Sequence, residues 1–167
     1  MIDYEQMRQV IAKGLKNYIG CPVIRSSQNA EPPPYPYVSY TITTLSKSKG
    51  GTYSIAKDGT RYKEVTQTWS FTALSDNASE SMKLALKMKE WVDLTGNIYL
   101  SDNGIVANHS TDINNRDNLL TTEYEYRNGF DAVFSVNETI TAEEANGGAG
   151  YIETVEFKDI PPINKEE

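Results

Sequence analysis

Tyr124-Glu125-Tyr126-Arg127-Asn128-Gly129-Phe130-Asp131-Ala132-Val133-Phe134-Ser135-Val136 is the stretch whose reading decides the fold. Its aromatic and aliphatic residues alternate with polar ones, the pattern of a half-buried strand. At its centre, Asn128-Gly129 invites a two-residue hairpin turn. That turn sets Arg127 opposite Phe130, with Tyr124 and Tyr126 on the face away from Phe130, Ala132 and Phe134. A three-residue loop, Arg127-Asn128-Gly129 with Gly129 left-handed in a bulge, sets Tyr126 opposite Phe130 and Tyr124 opposite Ala132 instead. All the apolar groups then share one face. A slip of one residue reverses every side chain, so burial selects the three-residue turn.

Working back from this stretch, Asn108–Asn118 is polar and reads as loop. Ile98–Leu100 and Ile105–Ala107 read as short strands around the turn signal Ser101-Asp102-Asn103-Gly104. A helix is predicted over Ala78–Leu94, capped by Asn77 with Glu80 in the capping-box position and ended by Gly96. Leu84, Ala85, Met88, Trp91 and Val92 form its buried stripe. Tyr62–Ala73 alternates Val65, Trp69, Phe71 and Ala73 against Glu64, Thr66, Thr68, Ser70 and Thr72, which marks a sheet with one buried face. Its partner is Tyr37–Thr43, with Val38, Tyr40 and Ile42 on one side. Between the two, Lys47–Thr60 holds Gly50-Gly51 and Asp58-Gly59, so the pair reads as a long hairpin with a mobile basic tip over 46–61. Glu31-Pro32-Pro33-Pro34-Tyr35-Pro36 is a stiff, extended lead-in. The first element is a helix with Met7, Val10, Ile11, Leu15 and Tyr18 on one stripe, capped by Asp3 and stopped by Gly20 and Pro22.

Past Val136 the chain turns acidic. Asn146–Gly150 is glycine-rich, Tyr151–Phe157 alternates as a weak final strand or arm, and 159–167 reads as a frayed acidic tail. The chain is therefore expected to form one α+β domain over 1–158: a mainly antiparallel sheet with two helices packed on one face and a long β-hairpin extension.

Composition removes several function classes. The chain has 167 residues with 16 Lys and Arg, 23 Asp and Glu, and a formal charge of −7. Such a surface repels phosphate, which argues against a general nucleic-acid binder. One Cys and one His rule out an intrachain disulfide, a Cys-built zinc site and a two-His metal site. No apolar run reaches the ~20 residues of a membrane helix. Met1-Ile2-Asp3 lacks the basic, then apolar, start of a secretory leader, so an intracellular chain without disulfides is expected.

Charge is segregated along the sequence. From Asn137 onward there are eight acids and two bases, a net −6. Ser46–Lys63 carries Lys47, Lys49, Lys57, Arg61 and Lys63 against Asp58, a net +4. Opposite-sign segments of this kind can orient neighbouring subunits. Chemistry, by contrast, finds no constellation. His109 lacks a recognisable nucleophile, Cys21 reads as an inert buried thiol, and Glu123 with Glu125 reads as solvated strand charge. Gly50-Gly51 and Gly147-Gly148 lack the setting of a phosphate loop. No enzyme activity, cofactor or metal is expected.

The order of elements, with Glu31–Tyr40, the Met82…Trp91 helix, Tyr126–Asp131 and Tyr151–Val155, resembles the neck and tail-terminator proteins of long-tailed phages and tail-like bacteriocins. The resemblance spans nearly the whole chain. It implies a structural virion protein: a hexameric ring at the head-proximal end of the tail, which ends the tube and joins it to the neck or connector. Tail-tube and connector proteins are the implied partners, with sheath protein in contractile tails. The ring is expected to assemble in the host cytoplasm, with DNA passing through it without specific binding. The remaining readings are another tube or head-closure component, or a stand-alone binding module. A ring needs two different patches on one protomer, and strand edges and arms supply such patches. The candidate contacts are Tyr35, Tyr37, Lys47, Lys49, Tyr53, Lys57, Arg61, Tyr151, Ile152 and Val155.

Overall fold

A computed structural model describes residues 3–27, 29–48, 50, 53–120 and 123–145, with backbone alone at 119, 120, 123, 124 and 145. The expected final strand, the glycine-rich run, the tail and Lys49 lie outside the described residues.

Helix α1 (Tyr4–Ile19) is delimited by its caps. Asp3 Oδ1 accepts the Gln6 N–H at 2.9 Å, and Gly20, left-handed at φ 78°, donates to the Lys16 carbonyl. Its buried stripe is Met7, Ile11 and Leu15, while Tyr18 stays exposed. The chain then forms β1 (Val23–Arg25), which the sequence did not announce, and β2 (Tyr37–Ser48). Next come β3 (Ser54–Ile55) and the long β4 (Arg61–Ser75).

Asn77 caps α2 (Ala78–Glu90), its Oδ1 accepting the Glu80 N–H at 3.1 Å. The helix continues into a π-turn (Trp91–Thr95) and then α3 (Asn97–Asp102). Ile98–Leu100 is therefore helical, not a strand. Gly96 is the reason: it keeps helical angles, φ −84° and ψ −10°, and carries the rod onward instead of stopping it. A Cβ there would stand 2.6 Å from the Trp91 ring, so glycine is needed for packing and not for a left-handed stop.

Left-handed Gly104 then reverses the chain into β5 (Ile105–Ser110), followed by β6 (Asn114–Asn115) and β7 (Asn118–Leu120). The polar stretch expected to be loop is thus mostly edge strand. The last described elements are β8 (Glu123–Ile140) and α4 (Ala142–Ala145).

The sheet order is β1-β2-β4-β8-β5. β1 runs parallel to β2 and every other pairing is antiparallel. β3 extends the sheet beside β4, and β6 and β7 continue along β8 after β5. The expected α+β class holds, with α3 joining α1 and α2 on the covered face.

Neither hairpin forms at Asn128-Gly129, because β8 runs straight through it. Asn128 pairs with Ala73, Gly129 with Thr72 and Phe130 with Phe71. Among the described residues, positive φ occurs only at Gly20, Gly50, Gly59 and Gly104. Asn128 is buried, its Nδ2 donating to Ser81 Oγ at 3.0 Å, while Ser81 Oγ donates to the Ala73 carbonyl. The Asn amide is spent pinning α2 to the sheet.

The core lies between the sheet and its helices. Tyr40, Trp69, Phe71, Phe130 and Phe134 are almost wholly buried and interlock, with Tyr40 on Trp69 at 5.0 Å and Phe71 on Phe130 at 5.8 Å between ring centroids. Aromatic pairs of this geometry add about 0.5–1.5 kcal/mol each beyond area burial. Ile11, Leu15, Met88 and Leu100 close over them from the helices.

Candidate interaction surfaces

The basic hairpin tip is built on β4. β3 pairs with it through Ser54–Tyr62 and Ile55–Arg61, and Gly59, at φ 82°, makes the turn. Asp58 Oδ1 accepts the Thr60 N–H at 3.0 Å, a bond that holds the Asp58 carboxyl below the usual range. Lys63 Nζ sits 5.2 Å above the Tyr53 ring centroid, a cation–π contact. Ile55 is 68% exposed, beside exposed Lys57 and Arg61.

β8 continues alongside the tip, pairing Glu138 with Lys63 and Ile140 with Arg61. The first part of the acidic C-terminal run therefore lies against the basic segment within one chain. Glu144 is turned back on its own helix start, accepting from the N–H and hydroxyl of Thr141. Those bonds hold its carboxyl low.

A second feature is the proline-rich lead-in, which lies on the sheet face opposite the helices. The Tyr35 ring stacks on Tyr37 at 5.6 Å, and Tyr35 OH donates to Glu125 Oε1 at 2.6 Å. The Arg127 guanidinium pairs with the other carboxylate oxygen of Glu125. Glu125, expected to be solvated, is 4% exposed. Its charge raises the Tyr35 hydroxyl to about 12, chiefly through the hydrogen bond, and burial raises Tyr37. Tyr37, read as an exposed contact, is buried, because β2 carries it beneath Tyr35; Tyr35 keeps an open edge.

The third feature escaped sequence reasoning. Arg116, between β6 and β7, reaches over β8 to β4. Its Nη1 donates to Ser70 Oγ at 2.8 Å and Thr72 Oγ1 at 3.1 Å, and its Nη2 to Asp131 Oδ1 at 3.1 Å. Ser70 Oγ in turn donates to Asp131 Oδ1 at 2.6 Å. The available signal was a glycine inside a strand, which marks a close approach by another group.

Among the described residues, groups with reactive potential do not converge. His109 is exposed on β5, where it pairs with Val133, and its side chain makes no hydrogen bond among the described residues. Cys21 is buried, and desolvation pushes its thiol up, away from the reactive thiolate. Among the described residues no group of three His, Cys, Asp or Glu is placed to hold a metal ion. No helix among them is long and apolar enough to cross a membrane.

These features define an α+β protein with an aromatic core, a charged, exposed hairpin flanked by the end of β8, and a strapped sheet face. The chain belongs to a phage family, the phage neck terminator proteins, whose family model matches residues 9–166, nearly its whole length. That family is structural and its members are neck components of the virion. No curated protein matches the chain at significance.

Proposed function

We propose that this protein forms a ring, hexameric in stoichiometry, at the head-proximal end of a phage or phage-like tail, where it ends the tube and joins it to the neck or connector. The family match over residues 9–166 carries this reading. Its partners are further copies of itself, the tail-tube protein, the connector and, in a contractile tail, the sheath. Assembly takes place in the host cytoplasm, and DNA threads the ring without being gripped, consistent with the net charge of −7.

The exposed tip suits subunit contact, since Lys47, Lys57 and Arg61 make no side-chain ion pair among the described residues. Lys47, Lys49, Tyr53, Lys57 and Arg61 are assigned to it. Tyr35, standing on buried Tyr37, and Tyr151, Ile152 and Val155 of the C-terminal segment are assigned to contacts with neighbours.

Electron microscopy of the protein alone and mixed with tail-tube protein tests the proposal. Closed rings or singly capped tubes support it, whereas open polymers would identify a tube component instead. Neutralising Lys47, Lys49 and Lys57 together is expected to weaken assembly at low salt. Unchanged assembly across a salt series would remove the tip from the interface.

A further inference from the structure

The two most exposed large apolar residues described are Ile98, 78% exposed, and Leu94, 70% exposed. They lie four residues apart where the π-turn passes into α3, so they stand on successive turns of one rod. Residues 90–104 contribute Glu90, Asp93 and Asp102 and no Lys or Arg, with Lys87 and Lys89 preceding them in the last turn of α2. Lys89 and Ser110 already engage Asp93. Glu90 and Asp102 are exposed and make no side-chain bond among the described residues.

The next most exposed is Ile55, on the basic hairpin tip, where it pairs across the strands with Arg61 and precedes Lys57 by two residues. Met82 and Leu86 are also exposed on α2, but they sit beside Lys83 and Lys87, the wrong sign for a basic partner.

We propose that the occupant of the acidic shoulder at Leu94 and Ile98 is the basic tip of a second copy of this chain. Ile55 inserts against the two aliphatic side chains, while Lys57 and Arg61 face Glu90 and Asp102. The arrangement is an apolar centre with a charged rim, the usual anatomy of a protein interface. The two patches differ, so the contact is heterologous and head-to-tail, the type that generates rings when its rotation closes. This assignment rests on the ring reading above and names the surface that receives the tip. It names a counterpart for Lys57 and Arg61, while Glu138 lies beside Lys63 in the same sheet.

The experiment uses the full chain, alone and with tail-tube protein, followed by sedimentation and electron microscopy. K57E/R61E and E90K/D102K are each expected to raise the concentration for half-assembly by at least about tenfold, and mixing the two variants is expected to restore it. Ile55→Cys mixed with Ile98→Cys is expected to give a disulfide-linked dimer under oxidation that neither gives alone. All four positions of the charge swaps are exposed, and circular dichroism checks the fold. Wild-type rings that persist unchanged in both charge variants, with no cross-link, would overturn the assignment and leave the ring standing. A wild type that assembles neither alone nor on tubes would overturn both.

Discussion

Arg116 passes over Gly129 so closely that a Cβ on the glycine would lie 2.9 Å from Arg116 Nη1 and 2.4 Å from the Phe71 carbonyl oxygen. The second obstacle is backbone and cannot move aside without parting β4 from β8. Gly129→Ala is therefore expected to destabilise the fold by about 1–3 kcal/mol, the range for forcing atoms into a filled site. Urea unfolding measures it. Arg116→Ala, which forfeits bonds to Ser70, Thr72 and Asp131 but leaves the strands paired, is expected to cost about 1–3 kcal/mol. Gly129→Ala in that background should remain destabilised, because Phe71 is still in the way.

Tyr35 ties residue 35 to residue 125 by one hydrogen bond. Tyr35→Phe removes the donor while Arg127 still neutralises Glu125, so a loss of about 0.5–1.5 kcal/mol is expected. The pH dependence has a defined sign. The Tyr35 hydroxyl rises from 10.0 to about 12 in the folded chain, so its contribution is whole below pH 10 and fades as pH climbs towards 12. Unfolding midpoints measured from pH 8 to 12 should fall less steeply in Tyr35→Phe than in the wild type.

Asn77 holds the start of α2, where Ser75 Oγ also accepts the Asn77 N–H and donates to the Glu80 carboxylate. Asn77→Ala is expected to cost about 1 kcal/mol, and Asn77→Asp to retain most of the cap. Thermal unfolding separates the two.

The sequence made the capped helices and the β2–β4 pair legible because their signals are local: an Asp or Asn cap, a left-handed Gly20, and an alternation from Val65 to Ala73 that only Gln67 interrupts. It misled where a residue type serves two physical ends. Asn128-Gly129 has turn chemistry, yet Asn128 is used to bond Ser81 and Gly129 to admit Arg116. Both partners are remote in sequence. Tyr126, Phe130, Ala132 and Phe134 keep one parity on an unbroken strand, so their shared face needs no three-residue loop to restore it.

Gly96 shows the same ambiguity, since a tight approach to Trp91 looks like a helix stop from the sequence alone. Ile98–Leu100 is too short an apolar run for periodicity to separate strand from helix. Among the surface candidates, the sequence located the basic tip but not its receiving shoulder, because three acids scattered over 90–104 form no run.

The unbroken passage of β8 has a mechanical consequence. Its 18 residues span about 60 Å at ~3.4 Å per residue, from the Tyr35–Glu125 tie to the base of α4. Along most of that length it is zipped to β4, so a pull at the hairpin loads many hydrogen bonds in shear rather than peeling them one by one. The molecule has no hinge between hairpin and core on this path. A displacement imposed at Ile140 must be borne by the aromatic core itself, which makes the domain a stiff lever rather than a bead on a flexible arm.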